Sequence, residues 1–201
     1  MKSISTYVNE KLRISTSNRQ YAYVARTRDH LIGYLEDHFT KDADYNDIDV
    51  SYIDDMRGIF GDFMKRPYES LDISKWDVSY AEDMRYMFLN QKKINPDLSD
   101  WDVSNVKNMT GMFEGCESFN SDISEWNVSN VEKMFGMFIR CSKFNQDISC
   151  WDVHNVTNMS DIFALCTDFN QDLSKWKINK EAIADRAFYK CNIKEEYKFK
   201  I

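Results

Sequence analysis

All five tryptophans of this chain, Trp76, Trp101, Trp126, Trp151 and Trp176, are separated by 25 residues. Few features constrain a fold as strongly, because a unit that recurs every roughly 20–50 residues buries its apolar side against its own copies. Counted from the tryptophan, the neighbouring columns are nearly invariant. Asp stands four before it (Asp72, Asp97, Asp122, Asp147, Asp172), Ser two before, and Val or Ile two after (Val78, Val103, Val128, Val153, Ile178). Phe stands twelve after (Phe88, Phe113, Phe138, Phe163, Phe188), and Cys fifteen after in four copies (Cys116, Cys141, Cys166, Cys191). A degraded sixth copy, "DYNDIDVSYIDDMRGIF" from Asp44 to Phe60, fits the same frame with Ile48 in the tryptophan position. It is offset by three extra residues in "GDFMKRPYESL".

Two periodicities follow each other within a unit. Ile123, Trp126 and Val128 have the L-x-x-L-x-L spacing of a short strand on the inner wall of a leucine-rich repeat. Val131, Met134, Met137, Phe138 and Cys141 then recur at three or four residues, which predicts one face of a short helix. Ser129 or Asn130 supplies its N-cap oxygen, and "CSKFNQD" closes the unit with turn formers. The expected fold is an α/β repeat solenoid, leucine-rich-repeat-like, of about six strand–helix repeats. Val24, Leu31, Ile32, Leu35 and Phe39 predict an N-terminal capping helix between Tyr21 and Phe39. Residues 1–43 are therefore read as an N-terminal helical segment and cap, and 44–201 as the solenoid. Its last repeat, with Ala184 and Ala187 in the Met positions and with added charge, reads as the C-terminal cap.

The pattern D-I-S-x-W-D-V-S-N-V-x-x-M-x-x-M-F-x-x-C-x-x-F-N-Q resembles the BspA-type leucine-rich-repeat family of bacterial surface proteins and Mycoplasma lipoproteins, over about three quarters of the chain. The resemblance implies the same solenoid and, from known members, adhesion at a surface. This chain departs from those members in showing no signal or lipobox. Its first fifteen residues, "MKSISTYVNEKLRIS", are similar to N-terminal peptides of tailed-phage proteins, including capsid-targeting peptides of the form M-K-T-x-x-E-F-I-x-E. The other reading of that stretch is an amphipathic terminal helix with Ile4, Tyr7, Val8 and Leu12 on one side.

Charge excludes some functions. The net charge is -7, which opposes a general nucleic-acid binder, since that needs a basic face to displace counterions. The C-terminal stretch from Lys175 to Ile201 is nonetheless basic, with eight Lys/Arg against four Asp/Glu. No apolar run reaches membrane-span length, and the start has no apolar h-region. Five cysteines in such a chain point to free thiols in a reducing compartment. The expected location is the cytoplasm of a bacterium or of an infected host, or a phage particle.

No catalytic constellation emerges. The chain lacks a phosphate loop, H-E-x-x-H, G-x-S-x-G and C-x-x-C; His30 and His38 are eight apart, and His154 sits in a column of Ser and Asn. A thiol every 25 residues suits a small buried hydrophobe rather than zinc, whose cysteine ligands come two to four apart. Cys150, outside that column, is the thiol with a chance of exposure and reactivity. "DADYND" begins like a calcium loop but lacks the glycine and the closing glutamate. No enzyme, cofactor or metal is expected. Recognition is expected on the residues one before, one after and three after each tryptophan, which strand alternation turns outward. The candidate partner-binding residues are Asp77, Asp100, Asp102, Glu125, Asn127, Asp152, His154, Lys175 and Lys177. Their acidic centre suits a protein partner carrying basic residues. The alternative is a structural or packaged phage protein that meets capsid components through its N-terminal peptide.

Overall fold

The computed structural model describes residues 21–61 and 67–200, so the phage-like stretch at residues 1–15 lies outside the described residues. From Asp72 to Cys191 the chain turns repeatedly. Each tryptophan N–H closes a turn onto the residue three before it, as Trp126 does onto Ile123 at 3.2 Å. Another turn follows at once, with Val131 N–H on the Val128 carbonyl at 2.9 Å. Instead of strands over Ile123–Val128 there are single-residue parallel bridges seven positions after the tryptophan: Asp55↔Asp83, Asp83↔Asn108, Asn108↔Lys133, Lys133↔Asn158 and Asn158↔Ile183.

The expected helix over Val131–Cys141 is replaced by overlapping turns. Met134, Gly136, Phe138 and Arg140 donate their N–H groups to Asn158, Ser160, Ile162 and Ala164 of the next unit at 2.8–3.0 Å. The residues between them bond locally: Met137 to Met134, Ile139 to Gly136, Cys141 to Phe138. An α-helix would direct every one of these donors to the residue four back. This alternation requires left-handed backbone at two positions per unit. The first is filled by Gly58, Tyr86, Gly111, Gly136, Asp161 and Arg186 (φ 55–61°), the second by Asn90, Gly115, Arg140, Leu165 and Lys190 (φ 53–76°). Glycine is the residue that enters this region without a Cβ penalty, which accounts for its recurrence in a stretch that otherwise has a helical apolar pattern.

The invariant columns form the core. Phe60, Phe88, Phe113, Phe138, Phe163 and Phe188 stack in sequence with centroids 5.4–5.8 Å apart. Phe119, Phe144 and Phe169 form a second file at 5.7–5.8 Å. The tryptophans are 4–5% exposed, and the indole N–H of each is satisfied across the unit boundary. Trp126 donates to Leu98 at 3.0 Å and Trp151 to Ile123 at 3.1 Å, carbonyls that also accept the local turn bond. Phenylalanine has no N–H for that bond, so the column is tryptophan.

Cys116, Cys141 and Cys166 are buried and donate S–H to the carbonyls of Phe88, Phe113 and Phe138 at 2.8–3.0 Å. Gln91 stands in the same column, and its amide makes the equivalent bond to Phe60 at 2.7 Å. Burial raises all three thiols well above their ordinary range. A raised folded-state value means that the unfolded chain loses its thiol protons first. Stability is therefore complete below about pH 8.5 and declines as pH rises beyond it. The melting temperature is expected to fall from pH 8 to 10, with a smaller fall in Cys141→Val; equal slopes in the two proteins would contradict the assignment.

At the N-terminal end, β1 (Tyr23–Val24) pairs in parallel with β3 (Ile48–Asp49), and β2 (Asp42–Asp44) with β4 (Ser70–Asp72). The β1–β3 register sets Tyr23 opposite Ile48, 25 residues on. Ala25 thus occupies the valine column, Leu31 the column of Met134, and Leu35 the column of Phe138; all three are fully buried. Between them α1 (Arg28–Asp37) replaces the turns, with the Thr27 side chain capping His30 N–H at 3.2 Å. Leu31 and Leu35, four apart, lie on one helical face, so the same columns are filled by different local structure. Val24, expected on the apolar face, belongs to β1 and is 41% exposed.

Candidate functional site

The carboxylates and the amide just after the first four tryptophans are committed first to local structure. Asp77 accepts Ser79 N–H and Oγ–H at 3.1 and 2.6 Å, Asp102 accepts Ser104 N–H at 3.0 Å, and Asn127 accepts Ser129 N–H and Oγ–H at 3.2 and 2.8 Å. In the fourth unit Asp152 Oδ1 lies 2.8 Å from His154 Nδ1. That hydrogen bond is the first reason the Asp152 carboxyl titrates below its ordinary range, with the charges of His154 and Lys177 adding to it. All of these bonds use Oδ1. Oδ2 of Asp77, Asp102 and Asp152 has no partner among the described residues.

Asp100, Glu125, Lys175 and Lys177 are exposed, and no described residue bonds to their charged ends. The nine candidate residues come together as one exposed band, since each unit is hydrogen-bonded to the next in constant register. Cys150 is exposed in the same band, with Sγ 3.1 Å from the Ser124 carbonyl. The other aspartate column is occupied otherwise. Asp72, Asp122, Asp147 and Asp172 each accept from the Ser two residues on, at 2.8–3.1 Å; those bonds lower the titration of the last three, and at Asp72 the Asn46 side chain lowers it first and the Ser74 bonds second.

Beside the band runs a polar groove of about 560 Å³. Its lining comes from the positions four and six after the tryptophan, including Asn105, Asn130 and Asn155, with Lys107, Glu132 and Thr157 next to them, and from Asn179, three after Trp176. The Glu82 and Lys107 side chains pair across it at 2.7 Å. The recurring Asn was a signal for this groove that a reading based on strand alternation passed over. No group of acidic, His or Cys side chains among the described residues is arranged to hold a metal ion. No described helix is long and apolar enough to cross a membrane.

A model of the family described as "Mycoplasma protein of unknown function, DUF285" matches this chain twice, over residues 33–138 and 92–198. Such overlapping matches are what a chain of repeated units produces. No curated protein and no solved structure matches it. With a match running from the capping helix through the last unit, the chain belongs to the DUF285 family of repeat proteins.

Proposed function

We propose that the chain is a non-enzymatic protein-interaction module: a solenoid related to the BspA-type leucine-rich repeats, whose band of wall residues receives a protein partner. The observation that carries this reading is the series of carboxylates with one oxygen held in a turn and the other open. Asp77, Asp102 and Asp152 are thereby oriented before any partner arrives. Donors on a basic partner would meet acceptors already in position, with little side-chain entropy lost.

Asn127 makes the same turn bonds without a charge, so neutralisation separates charge from structure. The Asp102→Asn, Asp152→Asn double variant is expected to keep the native melting temperature. It should lose at least about tenfold in affinity for a partner captured by the native chain from lysate, and native binding should weaken as salt rises. Unchanged affinity would refute the reading. The Asp102→Lys, Asp152→Lys variant is expected to abolish capture.

A further inference from the structure

The groove beside the band specifies the shape of the partner, an inference that rests on the interaction reading above. Asn105, Asn130 and Asn155 each donate Nδ2–H to a carbonyl of the preceding unit, those of Ser79, Ser104 and Ser129, at 2.7–2.8 Å. A carbonyl only accepts, so the orientation of each amide is decided by chemistry and Oδ1 is the atom left over. All three residues are exposed, and no described residue donates to these three oxygens. Of the donors around them, Lys107 pairs with Glu82 at 2.7 Å, and the Thr157 hydroxyl donates to the Glu132 carbonyl at 3.0 Å. The Glu132 carboxylate is exposed beside them. The groove therefore offers one unpaired amide oxygen per unit and demands donors.

Spacing then selects among donor-bearing segments. Parallel bridges hold neighbouring backbones about 4.8 Å apart, and the stacked rings of these three units are 5.8 and 5.6 Å apart. Three amide oxygens thus span about 10–11 Å. On an α-helix, residues i, i+4 and i+7 span about 10.5 Å. On a strand, residues i, i+2 and i+4 span about 13 Å, too long by two or more. A guanidinium, a planar fork of donors, can meet an amide oxygen and a neighbouring carboxylate together. We infer that the groove receives an α-helical segment of a protein partner that carries one arginine per turn, laid across the units with its axis along the series.

Two alanine-rich helical peptides of equal composition test this, one with Arg at i, i+4 and i+7 and one with Arg at i, i+2 and i+4, each titrated against the full chain by fluorescence anisotropy. The first is expected to bind at least about tenfold tighter. Asn130→Ala, Asn155→Ala should reduce its binding at least about fivefold. Glu132→Lys, which disturbs no side-chain bond of the native protein, should do likewise. Equal affinity of the two peptides, or no effect of these variants, overturns the inference. If the spaced peptide fails while Asp102→Asn, Asp152→Asn still loses the captured partner, the groove inference falls and the wall reading stands. If the peptide binds in register while that variant captures normally, the groove stands and the wall reading falls.

Discussion

Replacing Phe138 by alanine should lower the free energy of unfolding by about 3–5 kcal/mol, the usual cost of removing a buried phenyl ring from a close-packed core. Phe138 is fully buried and touches rings on every side. Phe113 and Phe163 stack on it at 5.8 and 5.6 Å, Phe144 at 4.2 Å, and Trp151 leans on it at 6.4 Å. Neighbouring units are held at constant register by their bridges, so the cavity has little means of collapse. The equivalent change at Phe188, which is only partly buried, should cost roughly half as much, and at Phe135, 37% exposed, well under about 1 kcal/mol. Urea denaturation measures all three. A Phe138 cost below about 1 kcal/mol would show that the phenylalanine file is not the main support of the core.

Excising one whole unit, residues 122–146, should leave a folded protein, and excising 122–145 should leave one that melts at a lower temperature still. In the first deletion Ser121 is followed by Asp147, which takes the place of Asp122. Every column then meets its own kind: Phe163 on Phe113, Met109 N–H on the Asn158 carbonyl, the Trp151 indole on Leu98. Stability in such arrays sums over units and their interfaces, so the loss should be a lowered melting temperature and not a lost transition. The second deletion leaves Gln146 as one extra residue between Ser121 and Asp147, to be accommodated at the boundary as three extra residues are between Phe60 and Phe88. The columns on either side still meet their own kind, and the added cost is confined to the turn that the extra residue disrupts. Circular dichroism melts of the two proteins distinguish the outcomes. A melting temperature of the 122–145 deletion equal to or above that of the 122–146 deletion would mean that the boundary turn adds nothing to stability.

The sequence disclosed its columns more readily than its local structure. Which residues are buried followed from recurrence alone, including Ile48 in the degraded copy, whose unit keeps the same bridge (Asp55↔Asp83) and the same ring contact (Phe60 on Phe88) across three extra residues. The turns were misread as a helix because apolar residues at Met134, Met137, Phe138 and Cys141 suit either structure. What decides between them is the direction of the N–H groups, and that depends on a neighbour 25 residues away. A local clue was present all the same. Gly58, Gly111 and Gly136 recur at one column inside the apolar stretch, and at φ near 60° they mark a backbone no helix contains. The wall residues were legible as exposed. The groove was not, because its Asn column reads as turn chemistry until the amide bonds to the preceding unit are seen.

The alternate bonding of the turn stretch has an electrical consequence. Per unit, four N–H groups point toward the following copy, as those of Met134, Gly136, Phe138 and Arg140 do. The bonds that run the other way are fewer, such as Glu132 N–H to Lys107 at 2.9 Å. Peptide dipoles of about 3.5 D therefore cancel only in part along the array and leave a net component in one direction. One extremity is the negative pole, and there the Arg28 guanidinium meets the Arg57 carbonyl at 2.7 Å. At the other extremity the N–H groups of Ala184, Arg186, Phe188 and Lys190 meet no acceptor among the described residues. The array is thus a vector: its two faces differ in sign, and anything that approaches it end-on can tell head from tail.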